Sequence, residues 1–215
     1  MKKSFLLLAG LILLAFTACQ NDELVNGGSG NETAVSFSVQ LPGANAPSTR
    51  AAGDGTQVNR CIMEIYLGDK LYGERQVVPV DDKTATFNVR LVTSQTYDFV
   101  FWADVCGEGG IKADRHYQTA NGLQNISLLG NYAGNDDSRD AFTGVLLSKL
   151  VTGAFNEAVE LTRPFGQLNI KTTDLESIPT DRTALIPATA SLAFKGVYKG
   201  FNAHTGAVTG DLAAL

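Results

Sequence analysis

Histidine occurs only twice in this chain, tryptophan once and cysteine three times, and each scarcity closes off a class of chemistry. His116 and His204 lie far apart in sequence and neither stands in a nucleophile or zinc-ligand motif, so neither a hydrolytic triad nor a zinc centre is expected. No stretch concentrates Lys or Arg along one face, and 17 basic residues are outnumbered by 22 acidic ones, so nucleic acid is not an expected partner. Gly107-Glu108-Gly109-Gly110 lacks both the spacing and the following helix of a phosphate-binding loop. Only one long apolar run exists, at the N-terminus, which excludes a polytopic membrane protein. Helical periodicity is nearly absent. What is present is 44% hydrophobic against 18% charged residues, too apolar for an extended disordered chain and enough for one domain of sandwich size in 215 residues.

The apolar run reads as a leader. Lys2 and Lys3 precede Phe5 to Phe16, which is apolar apart from one Gly, and the small residues Thr17 and Ala18 follow, the pattern of a secretory signal peptide over residues 1–18. As a helix the run reaches roughly 18 Å, well short of the ~30 Å hydrocarbon core. Phe16-Thr17-Ala18-Cys19 resembles a bacterial lipobox, which implies that the peptide is cut before Cys19 and that Cys19 carries the lipid; a plain signal with a chance Cys is the alternative. Residues 19–33 form a polar, Gly-rich tether. Within it, Gln20-Asn21-Asp22-Glu23 resembles the acidic stretch that sends lipoproteins of Bacteroidetes to the outer face of the outer membrane, against the simpler reading of a solvated linker. Loss of Lys2 and Lys3 takes the net charge from −5 to −7. Cys61 and Cys106 then remain in a compartment where disulfides persist. Cys61 opens one expected core strand and Cys106 closes another, so antiparallel pairing would bring them to one end of the sandwich; two free thiols are the alternative.

From residue 34 the pattern has period two. Val35, Phe37, Val39 and Leu41 alternate with Ser36, Ser38 and Gln40, and Ala85, Phe87, Val89 and Leu91 alternate with Thr84, Thr86, Asn88 and Arg90, as in half-buried strands. Cys61 to Leu67 and Tyr97 to Asp104 are apolar on both faces, as central strands are, and Gly68-Asp69 predicts a tight hairpin. Further strands are expected at 77–80, 144–151, 157–163, 166–172 and 190–199, with short helical turns at 138–142 and 174–178. The pattern predicts an all-β, antiparallel two-sheet sandwich over residues 34–210, with residues 211–215 as a tail or truncated end. Long loops fall at 42–57 and 105–140. The run Asn135-Asp136-Asp137-Ser138-Arg139-Asp140 lacks the spacing of a calcium loop and reads as a solvated loop or helix start. No metal or cofactor is expected. Alternation sets Trp102 opposite Phe101, so it reads as a core ring rather than a sugar-stacking platform. No pair of carboxylates stands out for glycoside hydrolysis.

Several strings, taken in order, carry a family resemblance: Thr49-Arg50-Ala51, Tyr97-Asp98-Phe99-Val100-Phe101-Trp102-Ala103-Asp104, Arg139-Asp140-Ala141-Phe142-Thr143-Gly144, Val159-Glu160-Leu161-Thr162-Arg163-Pro164-Phe165-Gly166-Gln167-Leu168-Asn169-Ile170, and Phe201-Asn202-Ala203-His204-Thr205-Gly206. Over about residues 34–210 the chain resembles the N-terminal domain of fimbrillin-like (type V pilin-related) surface lipoproteins of Bacteroidetes. That resemblance implies a transthyretin-like sandwich, a lipid anchor in the outer membrane, cleavage after an arginine, and strand exchange with fimbrillin-like subunits. Pilins continue into a second β domain whereas this sequence stops at Leu215, so the expectation is either a fragment or a single-domain relative. Function is accordingly expected to be non-enzymatic adhesion or pilus-like assembly, with Arg50 and Ala51 flanking the cleavage point. The alternative is a surface lipoprotein that binds or helps process glycans; a host or glycan ligand fits either reading.

Overall fold

The computed structural model describes residues 31–42, 55–132, 134, 136–166, 173, 177–179, 181 and 193–214. Among these, twelve strands carry nearly all the regular structure: β1 (Glu32–Gln40), β2 (Arg60–Leu67), β3 (Lys70–Leu71), β4 (Gln76–Pro79), β5 (Thr84–Val92), β6 (Gln95–Asp104), β7 (Tyr117–Gln118), β8 (Ile126–Leu128), β9 (Phe142–Val151), β10 (Phe155–Glu160), β11 (Lys195–Asn202) and β12 (Ala207–Ala214). Two complete 3-10 turns, Leu123–Asn125 and Asp137–Arg139, are also described.

The strands form a β-sandwich around a shared central sheet. That sheet runs β3-β2-β6-β9, with β4 also paired to β2; an inner sheet, β10-β1-β5, covers one face, and an outer sheet, β12-β11-β8-β7, lies over the other. Side chains alternate across a strand, so β2 and β6 feed two cores at once. Cys61, Met63, Ile65, Phe99 and Phe101 pack against Phe37, Val39 and Phe87 of the inner sheet. Ile62, Tyr66, Val100 and Trp102 pack against Leu123, Ile126 and Phe201 on the outer side. The apolar character of both faces in Cys61–Leu67 and Tyr97–Asp104 has this three-layer stacking as its cause.

Most pairings are antiparallel, as alternation predicts, with one exception. β1 runs parallel to β10, from Val35 opposite Phe155 to Gln40 opposite Glu160, while pairing antiparallel with β5 from Glu32 opposite Val92 to Gln40 opposite Thr84. The hairpin at Gly68-Asp69 is present, with Gly68 at φ 62, a conformation that costs a glycine nothing and that fits a two-residue turn. Gly144 is required for a different reason: a Cβ there would meet Leu161 Cδ2 at 2.8 Å, where β9 passes the end of β10. The expected loop 105–140 contains β7, β8 and both 3-10 turns, and β12 carries residues 211–214 as strand rather than tail. The expected strand 166–172, most of the turn 174–178 and the start of the 190–199 strand lie outside the described residues.

Candidate functional site

The first strand is the middle of its sheet. Val35, Phe37, Val39 and Leu41 face the core and are at most 5% exposed, because each second residue is apolar and the intervening Ser36, Ser38 and Gln40 satisfy the outer side. Phe37 sits at the centre with its ring centroid 4.6 Å from Phe99, 5.5 Å from Phe101 and 6.0 Å from Phe155. At its C-terminal end the strand is held from both flanks, by Leu41 N–H donating to Lys83 O (2.9 Å) and by Leu161 N–H donating to Gln40 O (2.8 Å). At its N-terminal end, among the described residues, only β5 is alongside, and the single charged contact is an exposed pair between Glu32 and Arg90 at 3.3 Å. In sheet order β5 and β10 each have β1 as their only strand neighbour among the described residues.

The outer face of the central sheet is built differently. Arg60, 1% exposed, donates to both oxygens of Asp104, to Asp114 Oδ1 (2.9 Å) and to the carbonyls of Ile111 and Ala113, while Trp102 Nε1 donates to Asp104 Oδ2 (3.1 Å). Burial alone would lower the Arg60 guanidinium, but hydrogen bonds and charge from Asp104 and Asp114 hold it above its ordinary value. Asp104 is pushed up by burial against the pull of Arg60. Burial also works against Asp114, yet donation from Thr119 N–H and Oγ1, with Arg60, keeps it below the usual carboxylate range. Beside this network Glu64, 2% exposed, accepts from Arg75 (2.7 and 3.0 Å), Tyr66 Oη and the Leu123 N–H (2.8 Å). Arg75 also donates to Thr119 O. An open groove of about 410 Å³ lies above them, lined by Arg60, Ile62, Leu71, Glu74, Arg75 and Lys112 among others. Its two guanidinium groups are thus already spoken for within the protein.

The residues singled out by sequence fall into place as follows. Cys61 is wholly buried among Met63 and Ile65 and registers with Ala103; Cys106 lies two residues beyond β6, its N–H donating to Asn59 Oδ1 (2.8 Å). Antiparallel pairing does bring them to one end of the sheet, where both are free thiols, Cys61 buried in the inner core and Cys106 partly exposed. Burial pushes the Cys61 thiol up. Trp102 is a core ring with no exposure, and of the exposed tyrosines Tyr198 is on β11 and Tyr132 lies between β8 and the second 3-10 turn. In the acidic run, Asp136 caps the 3-10 turn by accepting from Ser138 N–H, and Asp140 accepts from Gly55 N–H and pairs with Arg163 at 2.8 Å. His204 Nε2 lies 2.8 Å from Asp98 Oδ2, its ring stacked on Tyr66, so it joins the β11–β12 turn to the central sheet; His116 Nε2 lies 2.8 Å from Ser138 Oγ. Burial, with the charge of Arg139, lowers His116. Among the described residues no three His, Cys, Asp or Glu side chains gather to hold a metal ion. Cys19, Arg50 and Ala51, with residues 1–30 and 43–54, lie outside the described residues.

Sequence reading missed the two buried ionic networks. A signal did exist: Glu64 and Asp104 are charges inside otherwise apolar strands, which require partners when buried. For Glu64 they are Arg75, Tyr66 and the Leu123 N–H, and for Asp104 they are Arg60 and Trp102, with Asp114 as a second acceptor for Arg60; no local pattern links Arg75, Leu123 or Asp114 to these strands.

No curated protein matches the chain. Among solved structures, a Bacteroides thetaiotaomicron VPI-5482 chain described as one of the "putative polysaccharide binding proteins (DUF1812)" is similar at 13% identity with a TM-score of 0.36, covering 61% of this chain and 47% of that one. The match therefore spans about half the length of that relative. A family model covers residues 27–214, and the chain belongs to that family, a family of unknown function designated DUF6562.

Proposed function

We propose that the protein is a non-enzymatic surface lipoprotein of fimbrillin-like type, anchored in the outer membrane through Cys19, whose domain joins fimbrillin-like neighbours by exchanging its first strand. The observation that carries this reading is the position of β1: it is the first strand among the described residues, yet it lies in the middle of the inner sheet between β10 and β5, and with the following Leu41 it gives the core four apolar side chains. A strand so placed can be separated from the rest of the chain by one cut in the segment between it and β2. Arg50 is the only basic residue between Lys3 and Arg60, and Pro47, Ser48, Ala51, Ala52 and Gly53 surround it, a composition that suits entry into a protease site.

Burying Val35, Phe37, Val39 and Leu41 contributes about 1.5–3 kcal/mol each, on the order of 6–12 kcal/mol together, comparable with the ~5–15 kcal/mol stability of a whole domain. Hydrolysis of the Arg50–Ala51 bond alone therefore leaves β1 bound. When another strand replaces it, the newcomer gains the same pairings with β5 and β10, which is β-augmentation in the interior of a sheet.

Two experiments test the two halves of the reading. In a Cys19→Ala variant, the precursor stays uncut or loses its acyl chains; unchanged processing and membrane association would refute the anchor. Treatment with an arginine-specific protease cuts after Arg50 and yields a domain that oligomerises when a donor strand is supplied; a resistant loop, or a cut product that never oligomerises, would refute assembly and favour a glycan-binding role.

A further inference from the structure

On the strand-exchange reading, we propose that β1 leaves its slot only by displacement: the incoming strand pairs with β5 before β1 has gone, enters at the Glu32–Ala34 end, and is selected at the position of Phe37.

The topology argues against prior departure. β1 pairs with β5 over nine residues and with β10 over six, and neither flank has another strand neighbour among the described residues. Removing β1 first would therefore not leave a groove in a sheet; it would leave two single strands, with unpaired backbone groups along both and four vacated apolar sites between them. Displacement avoids that state, since each pair that β1 gives up is taken by the newcomer and the sheet never lacks its middle.

The two ends of β1 differ in how readily they open. Gln40 is flanked by Thr84 and Glu160 at once, and the next residue, Leu41, is buried and bonded to Lys83 O. At the other end β10 begins only opposite Val35, so Glu32, Thr33 and Ala34 are paired on one side. None of these three side chains is buried, and their one ionic contact, Glu32 with Arg90, is exposed. Fraying here uncovers the backbone edge of Arg90–Val92 on β5, which is the foothold for an incoming strand. Selection follows further in. The site of Phe37 is enclosed by the rings of Phe99, Phe101 and Phe155, so a strand without an aromatic ring there leaves a hole that those rigid neighbours cannot close.

The test uses the full chain cut after Arg50, the cut verified by mass, with a fluorescent synthetic peptide of residues 31–42 as the probe and uptake followed by polarisation. Uptake is expected to accelerate about tenfold for a tenfold rise in peptide, as a second-order step requires. Glu32→Ala in the protein speeds it by about 2–5-fold, the range for loss of an exposed ion pair. A peptide carrying Phe37→Ala binds at least about a hundredfold more weakly, as expected when a buried ring is deleted. An uptake rate independent of peptide concentration and equal to the rate at which β1 is lost unaided would overturn displacement while leaving exchange itself standing. Acceleration by Leu41→Ala but not by Glu32→Ala would overturn the assigned entry point. Absence of uptake at every concentration from a verified cut protein would overturn the exchange reading and this proposal with it.

Discussion

The two faces of the central sheet are made by the same strands and stabilised by different means. On the inner face Cys61, Met63, Ile65, Phe99, Phe101 and Ala103 meet an inner sheet that offers only apolar side chains. The outer face alternates with it residue by residue and places Arg60, Glu64 and Asp104 among Ile62, Val100 and Trp102. The inner interface can accept a strand that has the right alternation and a ring at the Phe37 site, because dispersion and burial are indifferent to identity within a given volume. The outer interface cannot, because each buried charge there is satisfied by a named partner: Asp104 by Arg60 and Trp102, Arg60 also by Asp114 from the following segment, and Glu64 by Arg75 and the Leu123 N–H. On the proposed exchange, replaceability would belong to the first interface and fixed register to the second, consistent with β1 lying on the inner side.

The largest expected effect is on the inner face. Phe37→Ala should cost about 3–5 kcal/mol, read as a lower denaturant midpoint, with the transition remaining single because the ring anchors the packing of both sheets. A cost below about 1 kcal/mol would mean that β1 is not part of the core.

Arg60→Ala should cost nearly as much, about 3–5 kcal/mol at neutral pH, since it leaves Asp104 buried without its counter-charge. What separates the two variants is pH. Without Arg60, burial holds the Asp104 pKa further above its unfolded value of about 3.9, and a group with a raised folded pKa stabilises below that unfolded value and ceases to as pH rises through the folded one. The deficit of Arg60→Ala should therefore shrink as the solution is acidified, whereas that of Phe37→Ala should not. Equal pH profiles for the two variants would break the comparison.

For two other groups, Asp114 and His116, the sign is opposite and the effect smaller. Asp114 and His116 both have folded pKa values below their unfolded ones, so both contribute stability that is present at neutral pH and lost on acidification, His116 below about pH 6.5 and Asp114 below about pH 4. Hydrogen exchange should show the 105–119 and 130–140 segments opening in acid before β1 and β5 do. Simultaneous opening of all four would mean that the outer networks are not a separate layer of stability.

The division between the faces also explains what could be read from sequence. Alternation in Val35–Leu41 and Ala85–Leu91, and the doubly apolar runs 61–67 and 97–104, gave the strands, the sandwich and the burial of Trp102, because the hydrophobic period is a local property. β7 and β8 were not legible, since two- and three-residue strands have no period to detect. The third layer depends on them and was hidden for that reason. The parallel pairing of β1 with β10 joins residues about 120 apart in sequence, and nothing in either strand records direction. The same limit applies to Cys61 and Cys106: their shared end of the sheet was inferable, whereas whether they are bridged was not, and both are free thiols in the structure. Brief labelling with a thiol reagent under native conditions should modify the partly exposed Cys106 and spare buried Cys61, and labelling of neither without reduction would indicate a disulfide after all.

The most direct test of the account's central claim, that β1 is a replaceable member of a sheet otherwise kept in place, is native mass spectrometry of the domain cut after Arg50 and mixed with an isotopically heavy preparation of the same cut domain. The account predicts that each domain retains one N-terminal piece and that hybrid pairs, light piece on heavy domain and the reverse, grow in with time. Persistence of the parental pairs alone, or loss of the N-terminal piece with unfolding of the remainder, would contradict it.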